Sequence, residues 1–407
     1  MSGGSIDDHI CGYDTNLTYW LPLYEGTRIV EQPVDLTSLA QRYAKAAKDF
    51  INRSAQEENP FFLYVPFSHV HQLCAPQQAT CQWASTAFSA NSPNATFVEA
   101  VEEMDWIAGE ILDTLKLLNI DDRTLVFFTS DNGPWVAEKS CSGSKGPFEG
   151  RWLQDNVDQS CTACPHEYIP SPTLQRPRRC VYQGKRNSYF IDGVHCGEDT
   201  GLGSVWEANI RMPALVKWPG YITPGTESMD MVSTLDVVPT VLGIVGIEVP
   251  SDIDGKYIGH ELFQTENFSQ EKRILFFWRD GFRDGPLPAP YGRFDVVAAK
   301  LGNVKAWFYT KSSHYNDDEE VYHNPPLLFD VLNDPAEAFP LNPDDHQDTI
   351  EQISYLIHKH KNMIDWAKPL TTLHDPKYIP CIDHSHNCRS KSIVSSASFD
   401  FEEIKRE

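Results

Sequence analysis

The chain has 407 residues, an ordinary apolar fraction of 41% and a net charge of −23, from 34 basic against 57 acidic side chains. That length holds one large domain and a smaller one. So acidic a chain excludes nucleic acid as a bulk partner, and no run approaches the ~20 apolar residues of a membrane-spanning helix.

In chain order, the first informative segment is Pro60-Phe61-Phe62-Leu63-Tyr64-Val65-Pro66-Phe67, which reads as a strand ending in Ser68-His69-Val70-His71. Histidines at the carboxyl end of a strand can supply a general acid or a metal ligand. Two solvated loop histidines would look the same. A helix follows. Thr96-Phe97-Val98-Glu99 has capping-box spacing, and Phe97, Val101, Met104, Ala108, Ile111, Leu115 and Leu118 repeat at steps of three and four. Next, Thr124-Leu125-Val126-Phe127-Phe128-Thr129 reads as a buried strand that runs into Ser130-Asp131-Asn132-Gly133-Pro134. Strand, helix and strand with polar groups at both strand ends predict a parallel βαβ unit. Asp131 and Asn132 offer one charged and one neutral oxygen, a pair suited to a hard cation such as Ca²⁺. Ordinary turn chemistry also explains them.

From Gly150 to Gly203 the chain is rich in Cys, Pro and Arg and shows little periodicity. That predicts a long loop, either a lid over a pocket or a surface decoration. Five of the ten cysteines bracket this insertion, and Asn16, Asn52, Asn94 and Asn267 are glycosylation sequons. Together they predict disulfides and a secretory, extracellular or lysosome-like location. Downstream, Gly203 to Pro213 leads into the strand-like Ala214-Leu215-Val216-Lys217-Trp218-Pro219-Gly220. Ser233-Thr234-Leu235-Asp236-Val237-Val238-Pro239 then opens a short apolar helix with a Ser or Thr cap. Past residue 255 the pattern turns to hairpin strands at Arg273–Trp278, Phe294–Ala299, Lys305–Thr310 and Leu327–Leu332. A helix carrying Ile350, Ile353, Leu356 and Ile357 follows. The expected domains are 1–255 with the insertion near 150–200, then an α+β subdomain over 256–388, then a disordered tail over 389–407.

These motifs resemble the sulfatases. Phe-Phe-Leu-Tyr ending in His-x-His, Phe-Thr-x-Asp-Asn-Gly-Pro, Trp-Glu-x-x-x-Arg-x-Pro-Ala with Trp-Pro-Gly, and Ser-Thr-Leu-Asp-x-x-Pro-Thr stand in the family's order. Gly302-x-x-Lys305 and Asn333-Asp334-Pro335-Ala336-Glu337 match its carboxyl-terminal pattern, and the arylsulfatase A and galactosamine-6-sulfatase branch is the most similar. The resemblance implies an alkaline-phosphatase-like α/β fold, a mixed sheet flanked by helices, followed by a smaller antiparallel sheet with one helix. It implies Ca²⁺-assisted hydrolysis of a small sulfate ester. Asp131 and Asn132 take metal-ligand slots, and His71 takes the slot that protonates the leaving oxygen or contacts sulfate.

Two departures shape the expectation of activity. The family nucleophile is a formylglycine made from the cysteine of Cys-x-Pro-Ser-Arg, and these 407 residues contain no such motif. Cys74-Ala75-Pro76 and Ser5-Ile6-Asp7-Asp8 only imitate the nucleophile and the family's aspartate pair. The chain is therefore expected to start partway through a sulfatase domain, amino-terminally truncated, and to be inactive as it stands. In addition, the family's sulfate-binding lysine slot reads Gly201-Leu202-Gly203. Lys145 is a candidate substitute for substrate binding, with a solvated loop lysine as the alternative. A catalytically dead sulfatase-like binding protein is the competing function.

Overall fold

The computed structural model describes residues 23–26, 28–31, 34–71, 84–89, 96–136, 142–156, 200–263, 273–279, 295–310 and 321–364, with short pieces between 162 and 198. Nine cysteines, three sequons and the tail after 364 lie outside them, and Cys180 falls in a piece described by its backbone alone. The described residues divide into two compact units, broken between Thr114 and Leu115.

In the first unit a hairpin of β1 (Leu23–Glu25) and β2 (Arg28–Glu31) precedes helix α1 (Leu39–Ser54). Leu39, Ala40, Tyr43, Ala44, Ala47 and Ile51 make the buried stripe of α1. Helix α2 (Phe97–Leu117) begins at the expected capping box. The Thr96 amide donates to Glu99 Oε2 at 2.6 Å, and the Glu99 amide to Thr96 Oγ1 at 3.2 Å. Its buried face, however, is centred on Ala100, Glu103 and Ile107, about one position away from the apolar stripe read off the sequence. The reason is Glu103, which is fully buried because His69 and the Ser85 amide bind its carboxylate at 3.0 Å each. A pattern that scores carboxylates as polar turns such a helix the wrong way.

Among the described residues no parallel pairing forms between the two segments of the expected βαβ unit. Residues 60–68 belong to no helix or strand, although their exposure alternates over 60–66 as a strand's would. Pro60 and Pro66 remove the amide donors near both ends of this run. In the second unit, β3 (Val126–Thr129) pairs antiparallel with β4 (Ala214–Lys217), with Phe127 opposite Val216. The insertion, expected as irregular loop, contains short antiparallel pairings instead. Tyr168–Pro170, Arg179–Tyr182 and Phe190–Asp192 form one sheet, and Thr162–Ala163 pairs with Val194–His195. Cross-strand pairing between segments this short leaves little alternation to read.

Between β3 and β4 lie the short helices α3 (Arg151–Asn156) and α4 (Glu207–Ile210), and α5 (Val237–Ile244) follows β4. Ser233 opens the turn into α5 with a capping box, as its sequence implies. Asp236 of that box is fully buried and receives the Arg273 guanidinium on both oxygens, with Arg273 Nη2 at 2.6 Å from Oδ1.

The carboxyl-terminal antiparallel sheet forms as expected. Its strands β5 (Ile274–Arg279), β6 (Asp295–Leu301), β7 (Val304–Thr310) and β8 (Val321–Asp330) lie side by side in chain order. One face packs on α6 (Gln347–Met363) through Val296, Ala299, Leu328, Ile353 and Ile357. The other face packs on Leu153, Val205 and Trp206 through Val297, Trp307 and Phe329. Burying a large apolar side chain contributes roughly 1.5–3 kcal/mol, so these two faces fix the order of the layers.

His360 on α6 stacks on Phe276 at 4.1 Å, and its Nε2 accepts the Trp278 indole N–H at 3.3 Å. Burial holds His360 below its ordinary 6.5, against the pull of Asp254. A depressed histidine contributes stability above the unfolded pKa and loses it as pH falls towards the folded value. The melting temperature should therefore drop more between pH 7 and pH 5 in the parent protein than in His360→Gln. Parallel slopes would show that His360 plays no part.

Candidate functional site

The Asp131–Asn132 turn ends β3 and is seated on α4. The Gly133 amide donates to the Asn209 carbonyl at 2.8 Å and to Asn209 Oδ1 at 3.2 Å. A Cβ on Gly133 would lie 1.9 Å from the Ala208 carbonyl oxygen, so only glycine permits this approach. Thr129 Oγ1 ties the strand end to the Pro213 carbonyl at 2.9 Å. On the other side the Leu202 amide donates to the Pro134 carbonyl at 2.9 Å, and Gly201 closes equally tightly on that same oxygen. The segment carrying Leu202 therefore lies directly against the Asp-Asn-Gly-Pro turn.

Asp131 is exposed and Asn132 half-buried. Asp131 Oδ1 accepts the Asn132 amide at 2.8 Å, and Asn132 Nδ2 donates to the Gly133 carbonyl at 2.8 Å. Among the described residues, Asp131 Oδ2 and Asn132 Oδ1 accept no hydrogen bond. A carboxylate and an amide oxygen left open at a rigid turn are the kind of ligands Ca²⁺ takes. Two ligands are fewer than its usual six to eight or so, and among the described residues no group of three or more acidic, His or Cys side chains gathers to hold a metal. The donors fit a hard cation in kind but form part of a coordination shell.

Lys145 reaches the same corner. Its Nζ donates to Thr200 Oγ1 at 3.0 Å and to the Glu149 carbonyl at 3.2 Å, and Thr200 is buried two residues ahead of Leu202. The ammonium is thus tied into the wall beside the turn.

His71 lies in the first unit, half-buried, in a turn closed by its own amide on the Ser68 carbonyl at 3.2 Å. That turn is anchored twice. Ser68 Oγ meets the Tyr43 hydroxyl at 2.6 Å, and His69, its side chain 1% exposed, binds Glu103. Of the two histidines, His69 is committed to the interior.

Sequence reasoning missed the most heavily charged part of the interior. Lys305 Nζ, fully buried, lies 3.2 Å from Glu207 Oε1 and 3.0 Å from Glu337 Oε1, and it donates to the Val205 carbonyl at 2.6 Å. Lys300 approaches Glu207 Oε2 at 3.5 Å. Two ammoniums thus face two carboxylates, which is what lets ions persist without water. Burial would raise Glu207, but Lys305 and Lys300 outweigh it and hold that carboxyl below its ordinary value. For Glu337 burial wins over the pull of Lys305, and its carboxyl is held above its ordinary value. The three motifs Trp-Glu, Gly-x-x-Lys and Asp-Pro-x-Glu each contribute one member. The motifs are visible in the sequence; that they meet is not.

Comparison with known proteins bears on the family and the fold. The family model described as "Sulfatase" matches residues 7–247, opening ahead of the first motif read from the sequence. The model described as "C-terminal region of aryl-sulfatase" matches residues 270–390. Arylsulfatase G of Canis lupus familiaris is 30% identical over 327 residues, covering 79% of this chain and 50% of that protein. Steryl-sulfatase of Rattus norvegicus is 31% identical over 333 residues, covering 78% of this chain and 47% of that protein. The chain thus spans about half the length of these relatives. Among solved structures, the PsFucS1 sulfatase from Pseudoalteromonas sp. superposes with a TM-score of 0.56 at 20% identity, covering 83% of this chain and 56% of that one. Ps i-CgsB superposes at 0.52 with 18% identity, covering 86% of this chain and 59% of that one. These likenesses identify the α/β fold of the sulfatases, of alkaline-phosphatase type, and with more than half of its residues matched by the family model, the chain belongs to the sulfatase family.

Proposed function

We propose that this chain has the scaffold of a sulfuric ester hydrolase that acts on a small sulfate ester with the help of Ca²⁺, in the secretory pathway or a lysosome-like compartment. The observation that carries the reading is the Asp131–Asn132 turn, clamped on Asn209 with one oxygen of each side chain left open. A bound Ca²⁺ would supply positive charge to the sulfate oxygens there. By resemblance His71 serves as the proton donor to the leaving oxygen, Lys145 contributes to substrate binding, and the arylsulfatase A branch is the narrower placement. The names of the relatives, arylsulfatase and steryl-sulfatase, support aryl or steryl sulfates as the substrate class. The formylglycine nucleophile belongs to a motif that these residues do not include, so turnover requires a protein that carries it. The sequon at Asn52, exposed at the end of α1, is compatible with the secretory route.

Asp131→Ala should abolish calcium-site binding, measured by terbium luminescence with calcium competition. Unchanged terbium affinity in that variant would remove the metal assignment.

A second reading has its own support. Leu202, whose amide binds Pro134 beside the turn, presents an apolar side chain where the family places a lysine. A catalytically dead sulfatase-like protein that binds sulfated ligands without hydrolysing them fits that substitution.

A further inference from the structure

The turn that carries Asp131 and Asn132 is held in place from a distance. It rests on α4 through Gly133 and Asn209, and α4 in turn is fastened at both ends to the segment that follows β8. At its start the Glu207 amide donates to Glu337 Oε2 at 2.8 Å. At its end Arg211 Nη1 donates to the Val331 carbonyl at 3.2 Å. The Glu337 carboxylate is itself fixed. Its Oε1 accepts the Trp307 indole N–H at 2.9 Å and pairs with Lys305, and the residue is fully buried. Its carbonyl also accepts the Trp152 amide at 3.0 Å, which adds α3 to the same knot.

We infer that Glu337 is a positioning residue for the Asp131–Asn132 turn, acting through the Glu207 amide, α4 and Asn209. This extends the metal-turn reading above and rests on it for its functional meaning. The structural link can be tested without it. A buried carboxylate that satisfies two fixed N–H donors cannot be truncated without freeing both of them. The helix fastened to it has only four residues and no long ladder of its own to hold it. Once its start is released, α4 can shift relative to the carboxyl-terminal sheet, and the Gly133 amide loses its acceptors on Asn209.

The test is amide exchange at Gly133 in the metal-free 407-residue chain, well below the melting temperature. Glu337→Ala should speed exchange at Gly133 by about tenfold. Ile353→Ala, on the opposite face of the same sheet and similarly destabilised, should leave Gly133 unchanged. Glu337→Gln keeps a single acceptor oxygen, which the Glu207 amide can take, so its Gly133 exchange should fall between that of the parent and that of Glu337→Ala. Equal Gly133 exchange in Glu337→Ala and Ile353→Ala would overturn the inference. If Glu337→Ala does not fold, Trp307→Phe removes one of the two donors while keeping an aromatic, though smaller, ring. It should speed Gly133 exchange by about threefold, and no change would overturn the inference equally. Terbium titration separates the two claims. Weaker terbium binding in Glu337→Ala supports the positioning role. Unaltered binding in Asp131→Ala would sink the metal reading while the exchange result still decides the role of Glu337.

Discussion

Glu207→Gln should destabilise the protein by about 3–5 kcal/mol at pH 7, read from chemical denaturation. Glu207 is the carboxylate that Lys305 and Lys300 hold in its charged form. Neutralising it leaves Lys305, fully buried, facing a group that burial pushes towards neutrality. Glu337→Gln should cost less, about 1–3 kcal/mol, because burial already disfavours its charge and the amide oxygen keeps one of the two bonds from Trp307 and the Glu207 backbone. Acid separates the two variants further. The Glu207 contribution is complete above the ordinary carboxyl value of 4.5 and is lost as pH falls through its lowered folded value. The deficit of Glu207→Gln should therefore shrink in acid. Glu337 has the opposite sign. Its ionisation opposes folding as pH climbs past 4.5, so Glu337→Gln should gain on the parent as pH rises. Equal costs for the two variants at pH 7 would mean that the charge assignment within the cluster is wrong.

Leu202→Lys should raise kcat/KM for an aryl sulfate by on the order of 10²–10³ in a protein that also carries the Cys-x-Pro-Ser-Arg nucleophile. The segment at Leu202 is fixed against the Asp131 turn by its own amide and by the tight approach of Gly201. A lysine there would bring a charged donor to the metal turn, whereas leucine can neither neutralise a sulfate nor donate a hydrogen bond to it. Lys145 is the competing source of charge. It sits in the same corner but already donates to Thr200 and the Glu149 carbonyl. If Lys145 has taken over the role, Lys145→Ala should raise KM for the sulfate ester in the unmodified background, and Leu202→Lys should rescue it. If Lys145→Ala is silent and Leu202→Lys gives no gain, the dead binding protein becomes the better reading.

Much of this was readable from local sequence. The capping box at Thr96, the cap at Ser233, the first three hairpin strands after residue 273 and the helix carrying Ile353 and Ile357 formed where their patterns placed them, while the fourth strand begins earlier, at Val321. Their signals depend on neighbours within about four residues or on strict alternation. The glycine of Asp-Asn-Gly-Pro was visible too, though not the carbonyl that makes it necessary.

Tertiary structure alone decided the rest. A strand's sequence does not name its partner, so nothing in Val126–Thr129 announces its antiparallel pairing with Ala214–Lys217, much further along the chain. A carboxylate in a helix reads as polar until something buries it, as His69 does for Glu103 and Lys305 does for Glu207. Charge pairing between Glu207 and Lys305, 98 residues apart, leaves no local trace, because the energy that selects it arises only when both ions lose water together. The sequence by itself determined which residues could do sulfatase chemistry; the fold decided which of them stand open at the turn and which are spent holding it.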